Sequence, residues 1–276
     1  MWVAERIIIL NVCPQSVAGN IGRLVQSIRE QTRKEGTDFY VRRAAPFAMR
    51  YFFSPFLSYY YANRFKATVA NSGSVDDAVE TAFSFGSLGF PLRIDQVREE
   101  VTGLLNFLKT REPRLALEIG TAGGGTLFLL ARVSHPSAKI MSIDLPGGLY
   151  GLGYPAWKIP LLKAFAKGNQ EIRLIRADSH SQNTYDRVKS ELADEKLDFL
   201  FIDGDHTYEG VKRDFDMYSS LVKKDGFIAL HDVVRYHLED YVDVSRFWRE
   251  LRERYEHWEF VKSWDQGWAG IGVVKL

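Results

Sequence analysis

The chain has 276 residues, of which 46% are hydrophobic and 26% charged, and these proportions exclude a disordered or collagen-like protein. With 36 Lys and Arg against 35 Asp and Glu, the formal net charge is +1 and gives no support for a nucleic-acid binder. The single cysteine, Cys13, excludes an internal disulfide and a cysteine-rich metal cluster. Apolar runs are far shorter than the ~20 residues of a membrane span, and the N-terminus lacks a signal-peptide core, so we expect a soluble, cytoplasmic protein.

Helical patterns and loops predominate before about residue 112. Apolar spacing predicts a helix over 17–35. Ser74 and Asp77 predict the N-terminal cap of a short helix, and Asp95 predicts the cap of a longer helix that ends before Pro113.

The segment 42–66 is rich in aromatic and basic side chains and has no acidic residue. One interpretation is an aromatic cover that packs on the main domain, with the basic residues at its solvated rim. The other is a contact with a partner or a membrane surface, where rings lie at the interface and cations meet anionic head groups. An aromatic segment of this kind is also suited to mediate a homo-oligomer.

From residue 114 onward, short apolar runs alternate with helix-length segments, which predicts a parallel sheet with helices on both faces. The predicted strands are Leu115–Ile119, Lys139–Ile143, Ile172–Arg176, Leu197–Ile202 and Phe227–Leu230. Two further strands, Trp258–Val261 and Ala269–Val274, are joined so closely that they must be antiparallel. We therefore predict an α/β fold: a doubly wound, mostly parallel seven-stranded sheet with an antiparallel last strand, preceded by a helical N-terminal extension.

A glycine-rich turn follows the first predicted strand. Glycines allow the backbone to approach a ligand, and the next helix offers unpaired N–H groups. Dinucleotide dehydrogenases have such a turn too, but Ala122 breaks the Gly-x-Gly-x-x-Gly pattern here. A carboxylate at the strand end also suits a cationic ligand better than a pyrophosphate. The predicted cofactor-binding residues of this turn are Glu118, Gly120, Thr121 and Gly124.

Acidic residues end the next two strands. Asp144 is placed to accept hydrogen bonds from the two hydroxyls of a ribose, and its alternative interpretation is a turn aspartate before Pro146. Asp178 can reach the base of a nucleoside, cap the helix that follows, or do both.

Further polar residues follow the fourth and fifth strands. Because the carboxyl ends of parallel strands face one crevice, we expect these side chains to converge there. They are Asp203, Asp205, His206, His231 and Asp232.

Together these motifs resemble class I S-adenosylmethionine-dependent methyltransferases, within the group that contains macrolide sugar O-methyltransferases and cephalosporin-hydroxylase-like proteins. The resemblance is carried by residues 118–126, 201–209 and 226–233, and it covers 92–276. Residues 1–91 would form a separate helical, aromatic-rich extension. The resemblance implies S-adenosylmethionine as cofactor and a small-molecule acceptor, such as a sugar or a lipid-linked glycan, that is methylated on a hydroxyl.

Residue by residue, the resemblance to metal-dependent O-methyltransferases implies roles for the acids and histidines that follow the fourth and fifth strands, which we call the reacting end. Asp203 matches their first acid, His206 falls on the position of the base, and Asp232 matches the second acid of a later pair. His231 replaces the first acid of that pair, which weakens a magnesium site or favours a transition metal. We therefore expect His206, Asp203 and His231 to be catalytic.

The same resemblance implies that Asp203 and Asp232 hold a divalent ion such as Mg²⁺, unless they hold the substrate hydroxyl directly. His206 could instead tie its loop to the helix at Tyr208.

Two other functions stay open on the sequence alone: an NAD-dependent oxidoreductase, and a non-catalytic partner-binding module with a vestigial cofactor site.

Overall fold

The computed structural model describes residues 58–67, 74–85, 92, 94–146, 153–235 and 241–276. The helix predicted over 17–35 and most of the aromatic segment 42–66 lie outside these ranges. Among the described residues, no helix is long and apolar enough to cross a membrane.

The described chain is built around one seven-stranded sheet with the order β3-β2-β1-β4-β5-β7-β6. Strands β1 to β5 are parallel, and β7 is antiparallel to both of its neighbours. The predicted fold class is therefore confirmed. The strands are β1 Leu115–Ile119, β2 Lys139–Asp144, β3 Glu171–Arg176, β4 Leu197–Ile202, β5 Val222–His231, β6 His257–Phe260 and β7 Ile271–Lys275.

Helices cover both faces of the sheet. They are α1 within 58–67, α2 Val75–Ser84, α3 Arg98–Lys109, α4 Gly125–Val133, α5 Ile159–Lys163, α6 Gln182–Leu192, α7 Tyr208–Tyr218 and α8 Val244–Arg252. Ser74 caps α2 as predicted, in a reciprocal capping box with Asp77. The cap predicted at Asp95 is wrong: α3 begins at Arg98, and the residue at its N-cap position is Val97.

Alternation along the strands divides the core into two layers. Leu117 and its neighbours on one face pack with Phe215 and Trp248 of α7 and α8. Ala116 on the other face packs with Phe128 of α4 and with side chains of α1, α2 and α3. A strand buried on both faces is typical of a parallel sheet covered by helices. The carboxyl ends of β1 to β5 are left at one edge, where the connecting loops meet.

The described part of the aromatic segment contributes to the core through α1. The Phe65 ring is fully buried, and its centroid lies 4.9 Å from that of Phe128 and 4.8 Å from that of Phe165. On the other side of the helix, Tyr59 and Tyr60 are exposed. A membrane or partner contact through 42–66 remains a prediction.

We expect Phe65→Ala to lower the free energy of unfolding by about 3–5 kcal/mol, because a fully buried ring leaves a cavity. Tyr59→Ala is the matched control: its ring is 63% exposed, so the change should stay within about 0.5 kcal/mol. Urea denaturation of the full chain measures both values. Equal losses for the two variants would contradict the placement of α1 in the core.

Candidate active site

The loops at the carboxyl edge of the sheet enclose a cavity of about 500 Å³. It is lined by the turn after β1, by Asp144 at the end of β2, and by the predicted reacting residues Asp203, His206, His231 and Asp232. A second cavity of about 330 Å³ adjoins it and shares Asp144 and His206, and Asp178 and Asp205 line only this second cavity. The structure thus brings the residues predicted for the reacting end, other than Asp205, into one space.

Two glycines of the turn are required by packing. Gly120 has φ +94°, and a Cβ there would overlap the backbone carbonyl oxygen of Asp203. Only glycine therefore allows the backbone that follows β1 to lie this close to the backbone that follows β4. Gly124 has φ +88°, and a Cβ there would overlap Leu162. Gly120 lines both cavities, whereas Gly124 lies outside the residues described as lining them.

Glu118 is completely buried in β1 close to this turn. Burial, followed by the charges of Asp203 and Asp144, raises the pKa of the Glu118 carboxyl well above its usual range. Neither carboxyl oxygen has a hydrogen-bond partner among the described residues. However, Glu118 is not among the residues that line either cavity, so its carboxyl lies outside the surface that a ligand there would contact.

The hydroxyls of Thr121 and Ser142 hydrogen-bond with each other instead. Thr121 lines the first cavity and is nearly buried, so it forms part of the wall between the cavity and the strands behind it.

Asp144 faces both cavities from the end of β2. Its Oδ2 accepts a hydrogen bond of 2.7 Å from the backbone N–H of Ala122. Burial raises the pKa of the Asp144 carboxyl to about 6, although backbone N–H groups, that of Ala122 foremost, lower it. The carboxylate is thus tied to the turn and remains available to hydroxyl donors in the cavities.

Asp178 lies in the loop after β3, where its Oδ1 accepts a hydrogen bond of 2.9 Å from the backbone N–H of His180. The residue before α6 is Ser181, so the alternative that Asp178 caps this helix is wrong. The extra residues between the strand and the helix keep Asp178 in the loop, on the wall of the second cavity.

The reacting end centres on His231, the last residue of β5. Its Nδ1 lies 3.2 Å from Oδ1 of Asp203 and 3.3 Å from Oδ1 of Asp232. These are ion-pair distances, but neither ring nitrogen has an aligned hydrogen bond to a described residue. Burial lowers the pKa of the His231 imidazole, but the charges of Asp203 and Asp232 outweigh it, and the pKa lies well above its usual range.

His206 Nδ1 lies 2.5 Å from Oδ2 of Asp232. Burial lowers the pKa of the His206 imidazole, but the hydrogen bond to Asp232 and the charge of Asp203 raise it overall. Burial in turn raises the pKa of Asp232, but the charge of His231 and the hydrogen bond from His206 bring it well below its usual range. The two histidines and the two acids therefore act electrostatically as one group.

Gln96, just before α3, is a site residue that the sequence did not reveal. Its Nε2 donates a hydrogen bond of 3.1 Å to Oδ2 of Asp203, and the side chain is nearly buried in the cavity wall. A glutamine outside any motif carries no signal of its own. The nearest signal was its place directly before a helix that leads into β1.

Glu100, in the first turn of α3, stabilises the loop before β7, which lies next to Asp232. This buried carboxylate accepts hydrogen bonds from the backbone N–H groups of Lys262 and Gly270 and from the side chain of Gln266. The turn that it orders places the backbone N–H of Ala269 3.2 Å from Oδ1 of Asp232. Gln96 and Glu100 thus connect one helix end to both acids of the site.

Comparisons with known proteins agree with this fold. Residues 117–233 match the protein family described as a methyltransferase domain. The uncharacterised protein R132 of Acanthamoeba polyphaga mimivirus is 29% identical over 130 residues, which are 44% of this chain and 52% of that protein. The alignment thus spans about half the length of this curated relative.

Solved structures share the fold at low sequence identity. A putative caffeoyl-CoA O-methyltransferase from Staphylococcus aureus is 17% identical, with 78% of this chain and 99% of that chain covered and a TM-score of 0.52. An O-methyltransferase from Bacillus cereus, solved in complex with SAH, is 17% identical, with 77% and 96% covered and a TM-score of 0.50. The chain therefore contains a segment, 117–233, that matches a methyltransferase domain, and its described sheet has the fold of these solved O-methyltransferases.

Proposed function

We propose that the protein transfers the methyl group of S-adenosylmethionine to a hydroxyl oxygen of a small molecule, with His206 as the general base. One observation carries this proposal: His206, held by Asp232, lines the same cavity as the glycine turn and Asp144. A proton acceptor and the elements suited to a nucleoside cofactor therefore share one space of a size typical of small-molecule sites.

The residues around the two cavities fit the cofactor. Asp144 can accept hydrogen bonds from the ribose hydroxyls, and Asp178 in the second cavity can reach the base. Glu118 lines neither cavity, and we propose that it supports the cofactor from β1 through the turn that follows it. Gly120 and Thr121 form the wall that the cofactor would contact, and Gly124 acts by fixing the turn against Leu162.

When bound, the cofactor supplies a methyl group already activated by a sulfonium. The protein must then align the acceptor and remove its hydroxyl proton. Because Nδ1 of His206 faces Asp232, the proton would be taken at Nε2. Asp203 and His231 lie beside the base and would orient the acceptor, and Asp203 and Asp232 would hold its hydroxyl directly or through a divalent ion.

The first cavity also offers aromatic surface. Tyr241 and Trp268 line it and remain partly exposed, so their rings are suited to contact the apolar face of a sugar. We propose a sugar, free or in a lipid-linked glycan, as the acceptor class.

The test is methyl transfer from radiolabelled S-adenosylmethionine to a panel of sugars and phenols. His206→Asn should lower kcat by about 10²–10⁴-fold, because asparagine can keep the hydrogen bond to Asp232 but cannot take the proton. Affinity for S-adenosylhomocysteine, measured by calorimetry, should be unchanged.

His257→Asn is the matched control, since this exposed histidine lies in β6 outside the residues that line the cavities. Unchanged kcat in His206→Asn would reject the base assignment. Binding of NAD(H) without any binding of S-adenosylhomocysteine would reject the proposed reaction.

A second prediction concerns the pH dependence of cofactor binding. The pKa of Asp144 is raised to about 6, and only the ionised form accepts two hydrogen bonds from ribose. The dissociation constant of S-adenosylhomocysteine should therefore rise as the pH falls below 6, by up to about tenfold per pH unit.

Asp144→Asn should bind S-adenosylhomocysteine roughly 10–100-fold more weakly at neutral pH, and the dependence near pH 6 should disappear. Calorimetry between pH 5 and 8 measures both effects. A wild-type affinity that does not change across this range would contradict the contact with ribose.

A further inference from the structure

One face of α7 contacts the loop that follows β3, which is a wall of the second cavity. Nε2 of His180 lies 3.2 Å from the carbonyl oxygen of Gly210 and 3.3 Å from Oδ1 of Asp214. The hydroxyl of Tyr218 donates a hydrogen bond of 2.8 Å to the carbonyl oxygen of Ser179. Gly210, Asp214 and Tyr218 are spaced four residues apart, so they form one stripe along the helix. Successive turns of α7 therefore contact the same short loop.

The carboxylate of Asp214 is fully buried behind this loop. Among the described residues, only the ring of His180 lies within ion-pair distance of it, and neither carboxyl oxygen has an aligned hydrogen bond. Its Oδ2 also lies close to Gly204 in the loop after β4, where an added Cβ would be 3.5 Å away. A buried charge without compensation is costly, so this carboxylate favours a cation in the position of the His180 ring.

His180 is suited to be that cation. Because a carbonyl oxygen can only accept, Nε2 carries a hydrogen toward Gly210, and a second proton binds at Nδ1. The contact with Asp214 raises the pKa of the His180 imidazole above its ordinary value, although burial lowers it. Of the other charged groups that face the ring, Asp178 in the same loop raises the pKa and Arg213 on α7 lowers it.

The backbone that this contact holds also orients Asp178. The N–H of His180 donates a hydrogen bond of 2.9 Å to Oδ1 of Asp178, and the N–H of Ser181 donates one of 3.2 Å to its carbonyl oxygen. The side chain of Arg213 donates a hydrogen bond of 2.9 Å to the carbonyl oxygen of His180. A displacement of the His180 ring would therefore move the groups that fix the Asp178 carboxylate on the cavity wall.

We propose that His180 and Asp214 form a charged positioning pair that holds the loop of Asp178 in the geometry required by the base of the cofactor. The inference rests on the proposed function, in which Asp178 reaches that base. When His180 loses its proton, the attraction is lost and fewer molecules hold the loop in place. The apparent dissociation constant of the cofactor rises in inverse proportion to that fraction.

The experiment measures the dissociation constant of S-adenosylhomocysteine by calorimetry between pH 6.5 and 9. Because the pKa of His180 is raised in the folded chain, the pair is intact at low pH and is lost as the pH rises through that pKa. Wild-type affinity should therefore fall at least about threefold across the range. Asp214→Asn keeps the shape of the side chain but removes its charge, so its affinity should already be lowered at pH 6.5 and should lack this alkaline fall.

Two matched variants show whether the effect belongs to the charged pair. Tyr218→Phe removes an uncharged contact with the same loop, so it should weaken binding equally at every pH. His257→Asn alters an exposed histidine of β6 and should match the wild type. His206, which also lines the second cavity, is present in all these proteins, so its titration cancels in the comparison with Asp214→Asn.

The double variant His180→Asn/Asp214→Asn tests whether the two residues act together. Either single change breaks the same pair, so the double variant should bind S-adenosylhomocysteine no more than about threefold more weakly than Asp214→Asn alone. In each variant, KM for S-adenosylmethionine should change by a larger factor than kcat, as expected for positioning residues. Because Asp214 is buried, thermal unfolding midpoints are compared first, and His180→Asn decides if Asp214→Asn does not fold.

Two measurements on the full chain without cofactor are independent of the methyltransferase function. In nuclear magnetic resonance, the imidazole signal that His180→Asn removes should titrate above pH 6.5 in the wild type and at lower pH in Asp214→Asn. Exchange of the His180 and Ser181 backbone amides, measured at one pH, should be at least about tenfold faster in Asp214→Asn.

The outcomes separate the two proposals. If the chain binds S-adenosylhomocysteine with the same alkaline dependence in the wild type, His180→Asn and Asp214→Asn, the positioning pair is overturned and the methyltransferase function stands. Independent, additive losses in the double variant would also overturn the pair. If amide exchange responds to Asp214→Asn but no S-adenosylhomocysteine binds, the positioning of the loop is supported and the methyltransferase function is contradicted.

Discussion

The close approach of the backbones that leave β1 and β4 determines the geometry of the whole site. The N–H of Asp203 donates to the carbonyl oxygen of Ile119 at 2.8 Å, and Gly120 follows with no side chain toward Asp203. A larger residue at Gly120 would separate the glycine-rich turn from the loop that carries Asp203 and His206. The distances among these groups thus depend on a single position without a Cβ.

The electrostatics of the site follow from the same crowding. Asp203, Asp232 and His231 are brought together in a poorly solvated space, where each charge is stabilised mainly by the others. Burial alone would favour the neutral forms of His231 and Asp232, but the attraction between them is larger and keeps their opposite charges in place. Removing one member would leave the remaining charges without compensation, which is why such clusters are costly to alter.

Much of the fold was readable from the sequence, because it depends on local patterns. Apolar runs of strand length located β1 and β4 at their observed bounds, and the short turn before Ala269 correctly required antiparallel strands. The predicted convergence of acids and histidines followed from the rule that parallel strands share a carboxyl edge. At Asp95 local chemistry misled, because an acid near a helix start need not be its cap.

What the sequence could not provide are contacts between distant segments. Gln96 and Asp203 are 107 positions apart, and nothing in either neighbourhood predicts their hydrogen bond. His231 and His206 are a second example. The sequence identified both as candidates, but which of their atoms face each acid depends on side-chain directions at two different strand ends.

The reversed direction of β7 has a chemical consequence. Since it runs against β5, its first residues lie beside the last residues of β5, and the N–H groups of Val233 and Val234 bond to the carbonyl oxygens of Gly270 and Ala269. A strand of the opposite sense would begin at the far edge of the sheet, about a strand length away, and could offer no amide to Asp232. The antiparallel direction of β7 therefore supplies the Ala269 N–H group that helps to orient the Asp232 carboxylate.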